Sequence, residues 1–228
     1  MVSTNIIDTQ DEVTRLRPSI TARVTRSYVD MRTTTEELLS ERPSEARLLM
    51  FVLISNMIFT LSWALKTLIS PTAATTASMG VDVVIWLIVA LMLRTTAIYA
   101  LALVIGVVAN LMGGKATIAD TRAGVIWGIF VSAPIGLLIA MIGVFINEFE
   151  SSVPLLQNSG IQMTPYWLGI IPFIWFVSKG VAAANRVENV APIFGAIATI
   201  FVVIGFAIKL MLRGGRKISD QWLRWIDL

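Results

Sequence analysis

The sequence predicts an all-α fold, a polytopic transmembrane helix bundle of about five spans with an amphipathic N-terminal helix. Three observations lead there. Of the 228 residues, 56 % are hydrophobic and the mean hydropathy is +0.77. Charged residues make up 14 %, well below the quarter or so typical of a soluble domain. The apolar residues also lie in long blocks rather than in an amphipathic rhythm, the pattern of helices surrounded by lipid.

The elements follow in chain order, in three parts: an N-terminal tail (1–46), the bundle (47–212) and a basic amphipathic C-terminal tail (213–228). Residues 1–18 read as a polar tail ending at Pro18, without the basic-then-apolar pattern of a cleavable signal peptide. From Ser19 to about Leu39 the apolar residues Ile20, Val24, Val29 or Met31, and Leu38 are interleaved with Arg23, Arg26 and Arg32. This reads as an interfacial helix whose arginines reach anionic headgroups, with an ordinary solvated helix as the alternative. Pro43, between Glu41 and Glu45, marks the start of the next helix, where acidic groups suit the positive helix end.

The first span covers 48–68, and an uncharged connector at 70–78 follows. The second block, 83–112, is interrupted only by Arg94. As one helix it is roughly 45 Å long, more than the hydrocarbon core of about 30 Å. Divided at Arg94 it leaves a first piece too short to cross, so one long tilted helix is the better reading. Gly113-Gly114-Lys115 ends it, as glycines after an apolar run do. The third span is 124–146, the fourth 165–184 and the fifth 190–212. Beyond it, Trp222 and Trp225 are placed to lie among headgroups.

Through position 47 the basic residues are seven arginines, offset by eight acids. That balance is not the uncompensated patch that nucleic acid requires. The basic residues of the tail, of the 114–122 turn and around Arg186 place the N terminus in the cytoplasm. Five crossings then carry Arg213, Arg216 and Lys217 to the opposite side, against the same rule. Either the odd count holds and the tail lies at the outer headgroups, or one span is re-entrant; five is favoured.

Two ladders of small residues permit close helix approach in lipid. One is Gly124, Gly128, Ser132, Gly136 and Ala140; the other is Ala102, Gly106, Asn110 and Gly114. The reading pairs these two helices through the Gly113–Arg122 turn, as internal packing or as a dimer seam. Pro134 disturbs the third span, where Ser132 is placed to satisfy a freed carbonyl. Asn56, Asn110 and Asn185 are candidates for interhelical hydrogen bonds. Arg94, the ionisable residue well inside a span, costs several kcal/mol there unless it reaches water, a carboxylate or carbonyls. A structural polar network and a contact with substrate or lipid headgroup are both open to it.

No catalytic constellation is legible. The chain has no histidine and no cysteine, no nucleophile paired with a base, no phosphate loop and no metal-ligand cluster. No cofactor is expected.

Several motifs carry a family resemblance. They are Glu41-Arg42-Pro43-Ser44 before the first span and the long second helix with Tyr99. That helix ends in Asn110-Leu111-Met112-Gly113-Gly114-Lys115, and Trp127 to Pro134 closes on Ser132-Ala133-Pro134. On these, residues 35–148 resemble the Yip1 domain family in its bacterial form, and the resemblance extends more weakly to about 212. It implies a five-helix protein of the bacterial inner (cytoplasmic) membrane with a cytoplasmic N terminus. Eukaryotic relatives act in membrane traffic with Rab-type GTPases and partner membrane proteins. The chain lacks their Asp-Leu-Tyr-Gly-Pro type element, so a GTPase-receptor role does not carry over, and the family supplies no catalytic residues.

The function expected is that of a non-enzymatic membrane organiser or accessory subunit. Its partners are membrane lipids and itself or a larger membrane protein complex, without nucleic acid or metal. The alternative is a small transporter or channel with a polar path past Arg94 and Asn110.

Overall fold

A computed structural model describes residues 19–69, 81–149 and 152–226. Among these the chain is helical, without strands: α1 (Ile20–Val29), α2 (Met31–Ser40), α3 (Glu45–Ile69), α4 (Val81–Leu111), α5 (Ile118–Phe149), α6 (Ser159–Ala184) and α7 (Ala191–Ile226). A 3-10 turn, Pro154–Gln157, precedes α6. The polar tail at 1–18 and the connector at 70–78 lie outside the described residues. Four helices carry stretches long and apolar enough to cross a membrane: Glu45–Ser62, Leu87–Leu111, Ile118–Ile146 and Ala191–Met211. The apolar part of α6, Leu168–Ala184, is shorter.

Helix α5 is the centre, and both α3 and α6 pack along it. On one side Phe51 of α3 stacks on Phe130 at 4.9 Å between ring centroids, with Trp127 at 5.4 Å from Phe51. These three rings are buried, and such clusters add about 0.5–1.5 kcal/mol per pair beyond the area they bury. On the other side Gly124 and Gly128 meet α6. A methyl built on Gly124 lies 2.5 Å from the Gly180 carbonyl oxygen, and one on Gly128 lies 2.7 Å from Val177 Cα. This corrects the pairing read from the ladders. The tight partner of the α5 stripe is α6 rather than α4, because Gly180 lets the two backbones touch. A Cβ built on Gly106 of α4 lies 3.7 Å from Ile118 and 3.9 Å from Thr121 of α5, ordinary contact distances.

The N-terminal region also departs from the sequence reading. It is a helical hairpin seated on the bundle, not one interfacial helix. Asp30 breaks the helix with φ −132° and ψ 80°, and its side chain caps α2 by accepting from the Thr33 amide. The chain therefore turns back, and Ser27 and Thr34 face each other with hydroxyls 2.8 Å apart. Met31, Thr34, Thr35 and Leu38 are buried against the bundle, while Val29 is 87 % exposed. Tyr28 extends furthest: its hydroxyl donates to the Val131 carbonyl of α5 at 3.0 Å, and its ring meets Phe176 of α6 edge-on.

At the end where the hairpin sits, two helix terminators lie together. α4 closes with Gly113 at φ +87° and the Gly114 amide bonded to the Ala109 carbonyl, a Schellman turn. α6 closes in the same way through Arg186 at φ +55°, with Val187 bonded to Ala182. Asn185 joins them: its amide donates to Thr121 Oγ1 and the Val181 carbonyl, and its oxygen accepts from Ala116 N. The expected separate tail after 212 is absent as a break, since α7 runs unbroken to Ile226.

Candidate functional site

Arg94 lies seven residues inside the apolar stretch Leu87–Leu111 of α4. It shares a cavity with Ser132, the central residue of the apolar stretch Ile118–Ile146. Its Nε donates to Asn56 Oδ1 at 2.7 Å, and the Asn56 amide donates in turn to Thr95 Oγ1 at 2.9 Å. Asn56 is fully buried, so this amide is a fixed bracket. The guanidinium stands over the Phe59 ring, 3.7 Å from its centroid. Asn56 and Phe59 are three positions apart on α3, which puts both on one helix face. One edge and one face of the guanidinium are thereby held. Among the described residues no carboxylate pairs with it, and the terminal amino groups make no hydrogen bond.

A half-open cavity of 530 Å³ lies between α3, α5, α6 and α7, with Arg94 contributed by α4. Its walls are mainly apolar, including Phe59, Ile139 and Phe173. Gly136 and Gly143 line it as well, and a Cβ added at either meets nothing within 4 Å. The lining serines are spent on their own helices: Ser55 donates to the Phe51 carbonyl, Ser62 to Ile58 and Ser132 to Ile129. Among the described residues Arg94 is thus the charged group of an otherwise mainly apolar lining.

The ladder residues divide between roles. Gly124 and Gly128 serve the α5–α6 contact, whereas Ser132 and Gly136 line the cavity. Pro134 stands inside α5, where it deprives the Phe130 carbonyl of its donor. Ser132 bonds the Ile129 carbonyl, so it does not supply the repair read from the sequence. Asn110 is exposed near the end of α4 rather than bonded between helices. Gly113 supplies the left-handed turn, and Gly114 packs against the Asn185 side chain.

Arg23 does not face the headgroups. It is 5 % exposed and bonded to Glu41 at 2.5 Å, and Arg47 bonds the other Glu41 oxygen at 2.5 Å. The Arg23 hydrogen bond, with Arg47 beside it, holds the Glu41 carboxyl down to about 2 despite its burial. Arg26 is half in solvent and pairs with Glu37; Arg122 pairs with Glu45. The side chains of Trp222 and Trp225 lie outside the described residues.

Sequence reasoning missed Phe59, Gly143 and Gly180. Phe59 was signalled by its spacing from Asn56, and Gly180 by the small run Gly180-Val181-Ala182-Ala183-Ala184. No protein-family model, curated protein or solved structure matches the chain.

Proposed function

We propose that this chain is a non-enzymatic integral membrane protein that acts by binding, as an organiser or accessory subunit for lipid or a larger membrane protein complex. The observation that carries this is the Arg94 chamber. A cation fixed by Asn56 in an apolar cavity suits holding a ligand, whereas acid–base or nucleophilic chemistry needs paired groups.

The bacterial inner membrane is the proposed location, with the hairpin end cytoplasmic. That end carries Arg42, Arg47, Lys115, Arg122 and Arg186, the bias expected of a cytoplasmic face. The chain has no cysteine, so single cysteines at Lys115 and Ser152 report sidedness directly. In intact spheroplasts an impermeant maleimide is expected to label position 152 and spare 115; the reverse overturns the orientation.

Purification in mild detergent followed by native mass spectrometry tests the function. Protein partners or lipids at fixed stoichiometry are expected, and a bare monomer would count against the reading. A transporter or channel takes support from the same cavity. The geometry favours it less, because Asn110 is exposed about four turns along α4 from Arg94 and the walls between are apolar.

A further inference from the structure

We infer that the Arg94 chamber is a binding site for a lipophilic monoanion, a long-chain carboxylate of the fatty-acid class. Its head would sit on the free edge of the guanidinium and its chain along the Gly136–Gly143 trench. The inference rests on the binding role proposed above and names the ligand of that site.

Four observations converge. First, a full charge inside an apolar span is costly unless it is compensated, and the compensation present is neutral: an amide at 2.7 Å and a ring face at 3.7 Å. Second, the Asn56 bond uses Nε and leaves the two terminal amino groups. Their parallel N–H bonds match the two oxygens of a carboxylate. One cation balances one negative charge, so a dianion would leave charge uncompensated in hydrocarbon.

Third, the chamber has the size and lining of a ligand pocket. Its 530 Å³ falls within the roughly 300–1,000 Å³ usual for such sites, and polar groups are few. Gly136 and Gly143 leave the α5 wall bare where larger side chains would have filled it. Fourth, Asn56 restrains the side chain from snorkelling. The guanidinium stays with Arg94 seven residues inside the apolar stretch Leu87–Leu111, about 10 Å along the helix from the end where phospholipid phosphates would lie. A free carboxyl on a flexible chain reaches that depth more readily than a phospholipid head.

The test uses the full-length chain in nanodiscs of zwitterionic phosphatidylcholine, with the fluorescent fatty acid cis-parinaric acid as probe. Saturable binding near one per chain is expected, displaced by oleate and far less by oleyl alcohol. Arg94→Gln should weaken the fatty acid about tenfold, the scale of a lost charged hydrogen bond, and abolish the preference over the alcohol. Gly136→Leu should block the probe by filling the trench, and a Cβ there has room, so its unfolding temperature should match wild type.

Equal displacement by oleate and oleyl alcohol, with Arg94→Gln unchanged, overturns the inference. Displacement by phosphatidylglycerol as effective as by oleate also overturns it, in favour of an anionic phospholipid. Neither result touches the proposed function, which fails separately if wild type and Arg94→Gln both purify without lipid or protein partners.

Discussion

Gly124 of α5 and Gly180 of α6 present their backbones to one another so closely that neither position has room for a methyl group. A Cβ on Gly124 would stand 2.5 Å from the Gly180 carbonyl oxygen and 2.9 Å from its carbonyl carbon. The obstacle is backbone, which cannot rotate away as a side chain can. Gly124→Ala should therefore force the helices apart and cost about 1–3 kcal/mol. Gly136→Ala, on the same stripe but with open space, should be neutral or slightly stabilising through helix propensity. Thermal unfolding in detergent, followed by circular dichroism, checks both. Equal effects at the two positions would contradict the packing described.

Removing the Tyr28 hydroxyl isolates the hairpin's deepest anchor. Tyr28→Phe keeps the edge contact with Phe176 and loses only the bond to the Val131 carbonyl. A loss of about 1 kcal/mol is expected. It should appear as faster hydrogen exchange in α1 and α2 and quicker proteolysis at 41–44, with the bundle unchanged.

Acid should loosen the same hairpin through Glu41. Its carboxyl is lowered from 4.5 to about 2 in the folded protein, first by Arg23 and then by Arg47. A depressed carboxylate stabilises the fold fully above its unfolded value, and that contribution fades as pH falls through the folded one. Docking should thus weaken progressively from about pH 4.5 to about pH 2. Glu41→Gln should reproduce the acid state at neutral pH, because it leaves the Arg23 charge buried without its partner. Exchange protection of α1 against pH measures both.

Arg186 occupies a left-handed position, φ +55°, that glycine fills at the end of α4. An L side chain there costs about 1 kcal/mol. Since Arg186 is exposed, Arg186→Gly should stabilise the protein by up to that amount, whereas Gly113→Ala should destabilise it by a similar amount. Paired melting curves decide.

The helical bundle was readable because lipid-facing helices need only length and apolarity, and 83–112 and 124–146 have both. Their pairing was not readable to the same degree. The ladder on α5 marked one wall of a close contact, but two ladders of similar spacing competed for it. What decided was Gly180, where a small residue lies opposite a small residue. The hairpin was hidden for another reason: beside Met31 and Leu38 its buried face carries Arg23, Ser27, Thr34 and Thr35, so hydrophobic periodicity marked it only in part. Asp30 was the clue, a capping residue in the middle of an apparently continuous helix. At the candidate site Arg94 stood out on charge alone, and Asn56 was a named hydrogen-bond candidate. The chamber itself was not legible, because a cavity arises from what five helices fail to fill.

The seat of the hairpin has a consequence for biosynthesis. Residues 20–40 leave the ribosome first, yet the surface they dock on belongs to α5 and α6, the latter ending at Ala184. At about 5–20 residues per second the intervening chain takes roughly seven to thirty seconds to make. Until α6 is made, the Tyr28 ring lacks Phe176. Full seating of the hairpin therefore follows the synthesis of α6.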